Sequence, residues 1–404
     1  MDDASLHYFY DDALNRKICS LKQYLGSTHQ LHVFPEATIK NNQMPNGILI
    51  QSLQNRSIVL QDLLRDPGCG FFIFKLHGPS LVYAKEKIAL DFLSFCEDLE
   101  RQSNVNESVS ENHLLNGIAH MNINKAIFAN QGFSVKPEHL YLDIDEQLLA
   151  QDLSQVSNSI ELKTLPDSED TMVGFIHTGS EYFSRFILNP WQQRVTEYHL
   201  MPNHPSLDNI QEKFKGLDYL SEFAEEFLQD VRVAMNYCLF KRWWIFSKLK
   251  SFMNHQYGIC LEPVSDRCHS GVFEIQNNLI QTRGIQLISK NSLPYMLAGQ
   301  RETIAYLLYK KKGKNHPKYI SHGTSYRVHP DYCYEKILGK QASLKFMNHL
   351  SQIYANTPLD KNNCLAYHYN IMFQKKLMEF YYFHWVPLLP LVNYQGKYLR
   401  QAQL

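Results

Sequence analysis

The sequence predicts a fold of α/β or α+β class, mixed sheets and helices in one large unit covering residues 1–404, and three observations carry that expectation. Short apolar runs bounded by turn-forming residues recur along the chain. Two long segments show helical periodicity instead. The two kinds alternate irregularly, without repeats or low-complexity stretches, so neither an all-helical bundle nor a repeat array fits. A chain of 404 residues that is 44% hydrophobic can bury a substantial core.

The apolar runs lie at 47–53, 70–76, 171–176, 271–275, 284–288 and 303–309. They are flanked mostly by Gly, Pro, Asn or Asp, the pattern of short strands. Residues 86–101 predict a helix with Ala89, Leu90, Leu93 and Cys96 on one face. Residues 217–249 predict a second, with Leu220, Phe223, Ala224, Phe227, Leu228, Val231, Met235 and Cys238 at steps of mostly three and four. The polar stretch 101–113 predicts a surface loop or insertion, and 199–205, with two prolines, a link between elements.

Lysine plus arginine equals aspartate plus glutamate, 40 each, so any attraction for nucleic acid must be local rather than global. No run of roughly 18 apolar residues suggests a membrane helix. The acidic start, MDDASLHYFYDD, lacks the apolar centre of a secretion signal, so the expectation is a cytoplasmic protein without a membrane partner. The eight cysteines are scattered singly, which predicts reduced thiols rather than a disulfide framework.

Four segments can carry chemistry. DPGCGF at 66–71 places Asp66 and Cys69 three apart in a tight turn, where carboxylate and thiolate can meet one divalent ion; taken alone, the spacing fits better a turn capped by Asp66 over a buried thiol. GFIHTGS at 174–180 ends an apolar run at His177 and opens a helix-like stretch. His177 can face a metal or phosphate there, or pack beside an ordinary helix cap. DRCHSGVFEI at 266–275 sets His269 before a strand-like run, with Asp266 as a candidate acceptor behind it and Cys268 pointing to the opposite face. SHGTSYR at 321–327 surrounds His322 with glycine, hydroxyls and Arg327, closely preceded by the lysine-rich 309–318. That suits either a phosphate site or a solvated basic turn.

In order, these segments resemble the RtcB-type GTP-dependent RNA ligases. VFPEATIKNNQMPNG (33–47) is similar to that family's early MPD…G segment, DPGCGF to its DxGCGM motif, VSNSIELK (156–163) to GNHFIE, and HTGSEY to HSGSRG. AMNYCLFKR (234–242) is similar to AxNYAxxNR, DRCHS to DVAHN, TRGIQL (282–287) to RKGA, LAGQRETIAYLL (297–308) to PGSMGTxSYxV, SHGTSYR to GHGAGR, and VPLLPLVNYQGK (386–397) to LxPxxxxKG. The resemblance spans about residues 30–397.

It implies a single α/β domain around a central metal cleft, usually holding Mn2+, with another divalent ion such as Zn2+ as the alternative. Asp66, Cys69, His177 and His269 would be the ligands, and Asn158 stands where the family has a further metal histidine. GTP would be bound by Asn158, Glu161, Gly299, Gln300, His322, Gly323 and Gln395. Arg283, Arg327 and Lys241 would contact phosphate or RNA. His322 would be the nucleophile that takes up GMP. The implied activity joins an RNA 3′-phosphate or 2′,3′-cyclic phosphate to a 5′-hydroxyl. Its partners would be GTP, broken tRNA-like RNA and an accessory activating protein. Because Asn158 and Gln395 replace a metal histidine and a guanine-contacting lysine, two alternatives stay open. One is an impaired relative that binds RNA ends or nucleotide; the other is a one-metal phosphoesterase acting on RNA ends.

Overall fold

The computed structural model describes residues 12–38, 44–52, 58–60, 63–64, 66–101, 149, 153, 159–199, 216–218, 220–275, 278–288, 293–298, 305–313, 318–322 and 383–395. The fold is mixed α/β with antiparallel sheets. In chain order the elements are α1 (Asp12–Leu25), β1 (His29–Thr38), β2 (Asn46–Ser52), β3 (Ile58–Leu60), β4 (Gly70–His77), α2 (Ser80–Tyr83), α3 (Lys85–Arg101), β5 (Ser159–Thr164), β6 (Thr171–Thr178), α4 (Glu181–His199) and β7 (Gly216–Asp218). They continue as α5 (Glu222–Tyr257), β8 (Cys260–Cys268), β9 (Ser270–Ile275), β10 (Asn278–Arg283), β11 (Ile285–Leu287), β12 (Tyr295–Leu297), β13 (Ala305–Lys310), β14 (Tyr319–Ser321) and β15 (Phe383–Gln395).

A seven-stranded sheet in the order β12-β13-β15-β5-β6-β4-β8 forms the frame. Its inner strand β4, GFFIFKLH, is buried on both faces, and this is why it reads as a continuous apolar run rather than an alternating one. Phe72, Phe74 and Leu76 join Ile160, Leu162, Met172 and Ile176 in the core beneath α5. Phe71 and Ile73 point the other way, to Val173, Phe175, Met296, Ala305, Leu307 and Leu388. A second sheet, β1-β2-β10-β9, and the pairs β11-β14 and β3-β7 complete the strands.

Helix α5 packs across β6, β8 and β9, with Trp243 and Phe246 against Phe72. Its start corrects the expectation from periodicity. Leu217 lies in β7, Leu220 is 72% exposed, and the helix begins only after Ser221, whose side chain accepts from the Ala224 N–H. A hydroxyl cap sets a helix start more firmly than apolar spacing does. The helix then runs beyond 249 to Tyr257 and stops at Gly258, in the left-handed conformation.

Helix α3 forms as expected, but its buried face is Ile88, Phe92, Cys96 and Leu99, while Leu90 is 66% exposed. Of the predicted polar loop, Arg101 closes α3 and 102–113 lie outside the described residues; of the predicted link, His199 ends α4 and 200–205 lie outside them. Among the described residues no helix is long and apolar enough to cross a membrane. The six described cysteines form no disulfide.

Candidate metal centre

Three adjacent strands deliver the candidate ligands to one end of the large sheet. Cys69 immediately precedes β4, His177 is the penultimate residue of β6, and His269 follows the last residue of β8. The register sets this: Gly70 pairs with Thr178 on one side and with Cys268 on the other. Backbone bonds lace the loop ends together. Gly68 N–H donates to Ser270 carbonyl (2.7 Å), His269 N–H to Cys69 carbonyl (2.8 Å), and Ile285 N–H to His269 carbonyl (2.7 Å).

The ligand atoms of Cys69, His177 and His269 all lie within 4.8 Å of one another. Cys69 Sγ is 3.4 Å from His177 Nε2, which is 3.1 Å from His269 Nε2. Phe71 walls the group, its ring 4.5 Å from that of His177 and 5.3 Å from that of His269. Burial pushes the Cys69 thiol well up, reinforced by the Asp66 charge. Burial also pushes His269 well down, helped by His322 and His177. One sulfur and two ring nitrogens suit a borderline divalent cation, and a bound cation would reverse the local preference for a protonated thiol.

His322 arrives from β14. Its N–H donates to Gly284 carbonyl and its carbonyl accepts from Ala298 N–H, each at 3.1 Å. The side chain is buried, with its ring 4.7 Å from that of His269. The imidazole expected as a nucleophile therefore stands beside the candidate ligands.

Asp66 stands differently. It is not in the group of mutually close ligand atoms. Its Oδ1 accepts from the Ser180 N–H at 2.8 Å, just ahead of α4. A Cβ on Gly179 would overlap this carboxylate, so glycine there lets Asp66 approach. The acceptor expected behind His269 is also placed elsewhere. Asp266 Oδ1 accepts from Arg242 Nε (2.8 Å), whereas His269 Nδ1 lies 3.2 Å from Ser270 Oγ. Cys268 is buried in the core beneath α5, with its thiol donating to Gly68 carbonyl at 3.5 Å.

Of the residues expected to bind GTP, Glu161 is buried in β5 and pairs with Lys163 Nζ at 2.7 Å. Burial raises its carboxyl, with Lys163 pulling the other way. It faces Asn393 across the register, and Gln395 pairs with Ser159 through the backbone. Lys241, expected on phosphate, is instead fully buried, its Nζ donating to Gly179 carbonyl at 2.8 Å. Arg283 Nη1 donates to Met44 carbonyl at 3.0 Å. Asn158, Gly299, Gln300, Gly323 and Arg327 lie outside the described residues.

Sequence reasoning assigned no role to Arg242, although it closes the segment AMNYCLFKR. Its fully buried side chain lies among the loops that carry the candidate ligands. The only local hint is an arginine inside an otherwise apolar helical stretch.

No protein-family model matches this chain, and a comparison with curated proteins gives no match.

Proposed function

We propose that this chain is a metal-dependent RNA ligase in which His322 becomes guanylylated. The observation that carries the reading is the buried His322 ring 4.7 Å from that of His269, itself one of three mutually close candidate metal ligands. Cys69, His177 and His269 would hold the ion, and a sulfur–nitrogen set favours a zinc-like ion over manganese. When bound, the ion would neutralise phosphate charge near His322.

In this reading the lone pair of a His322 ring nitrogen attacks the α-phosphorus of GTP. An N–P bond forms, the bond to the bridging oxygen breaks, and pyrophosphate leaves. An RNA 3′-phosphate oxygen then takes the GMP, breaking the N–P bond and restoring the imidazole. A 5′-hydroxyl finally displaces GMP, and its proton passes to solvent as the strand is sealed. The test is intact-mass spectrometry after incubation with GTP and either zinc or manganese. The expected result is a gain equal to one GMP, absent in His322→Ala; wild-type protein that never gains it overturns the reading.

A hydrolytic alternative is favoured by one observation. Among the described residues the mutually close ligand group contains three residues, the number that leaves a coordination position open in water-activating sites. Release of inorganic phosphate from 3′-phosphorylated RNA, without GMP transfer or joined product, would support this alternative instead.

A further inference from the structure

We infer that Arg242 is the positioning residue that sets the spacing of the three candidate metal ligands. The inference rests on the reading that Cys69, His177 and His269 hold a metal ion, and it is independent of what reaction follows.

One guanidinium touches the immediate chain neighbour of each ligand. Arg242 Nη1 donates to Gly68 carbonyl at 2.8 Å, next to Cys69, and to Thr178 carbonyl at 3.0 Å, next to His177. Nη2 lies 3.5 Å from the sulfur of Cys268, next to His269. The orientation of the fork is fixed at its remaining corner, where Nε donates to Asp266 Oδ1 at 2.8 Å. Both charged side chains are fully buried, so water cannot substitute for either partner.

The geometry explains why arginine is used. Gly68 sits in the turn before β4, while Thr178 and Cys268 end the neighbouring β6 and β8, and no hydrogen bond within one strand can join all three. A planar group with several diverging N–H donors can, because its donors keep fixed angles to one another. A lysine offers a point charge on a flexible stem and cannot hold two carbonyls, a sulfur and a carboxylate in one plane. The helix supplies the rigid base: Arg242 lies near the middle of the 36-residue α5, between buried Lys241 and Trp243. Gly68 itself fits closely here, at φ 90° against Cys238 and Met235 of the same helix. Helix α5 and the ligand loops thus form one packed unit, with the guanidinium at its centre.

The test compares Co2+ binding by wild type, Arg242→Lys and Ser221→Ala, each verified as folded by circular dichroism. Ser221 caps the start of the same helix, so its alanine variant reports generic loss of helix stability. Arg242→Lys should weaken Co2+ binding by about 10–100-fold and diminish the sulfur-to-cobalt charge-transfer band, the range typical of residues behind metal ligands. Ser221→Ala should lower the melting temperature and leave affinity and band unchanged. If Arg242→Lys does not fold, Asp266→Asn, which loosens the fork while leaving arginine in place, should show a smaller loss of the same kind. A folded Arg242→Lys, or in its stead Asp266→Asn, that binds Co2+ like wild type overturns the role of Arg242 alone. Equal loss in Ser221→Ala also overturns it, as a generic effect. Wild type that binds no Co2+ overturns the metal reading and this inference with it.

Discussion

Cys69 Sγ and His177 Nε2, 108 residues apart in the chain, stand 3.4 Å from each other at the end of two paired strands. His269 completes the set 3.1 Å beyond. Purified protein should therefore bind about one divalent ion per chain through this set. Cys69→Ala, His177→Ala and His269→Ala should each weaken it by more than the roughly 10–100-fold seen for residues that only support ligands. Metal analysis and Co2+ spectra check this. Undiminished binding in all three variants would place the ion elsewhere.

Binding at this set should also release about one proton near pH 8. Burial holds the Cys69 thiol well above its ordinary range, so without metal it is protonated and an ion must displace its proton. His269 is pushed the opposite way by burial and so is already neutral. Affinity should rise about tenfold per pH unit while that proton is being displaced. Calorimetry in buffers of different ionisation enthalpy measures the release; none at pH 8 would contradict a bound thiolate.

Asp66 separates a capping role from a ligand role. Its Oδ1 satisfies the Ser180 N–H beside α4. Asp66→Ala should cost about 0.5–2 kcal/mol of stability, and Asp66→Asn, which keeps the acceptor, much less. If capping is its whole role, both variants retain wild-type Co2+ affinity. A strong loss of Co2+ binding in Asp66→Asn at near-normal stability would instead make the carboxylate a ligand.

What was legible in the sequence follows from where the partners lie. The strand 70–77 announces itself because both of its faces meet apolar neighbours. The face of α3 was misassigned because Leu90 lies beside the stripe of Ile88, Phe92, Cys96 and Leu99 rather than within it, and spacing alone does not say which stripe meets the core. Strand β8, CLEPVSDRC, went unrecognised because its buried polar residues meet partners on other elements, Asp266 the Arg242 guanidinium and Arg267 the face of Tyr295 at 4.5 Å. Cys69, His177, His269 and His322 were each visible as isolated candidates. Their convergence was implied only by the family resemblance and not by the residues themselves, because it depends on strand pairings across about a hundred residues or more.

Cys268 supplies a prediction of stability against pH. Burial, opposed by Arg242, raises its thiol from an ordinary 9.0 to about 12. A raised thiol in the folded state means that the unfolded chain loses its proton first. Between about pH 9 and 12 the folded protein binds more protons than the unfolded chain, and stability falls as pH rises. The slope for this one group is about 1.4 kcal/mol per pH unit. Cys69 and Cys238, also raised by burial, act in the same direction in metal-free protein. Urea unfolding of metal-free wild type and Cys268→Ala at pH 8, 9, 10 and 11, under reducing conditions, reads this contribution together with the effect of Cys268 on neighbouring Cys69. The wild type should lose stability relative to Cys268→Ala by about that slope above pH 9. A difference that stays constant across the series would mean that water reaches the thiol and that the space around Arg242 is not dry.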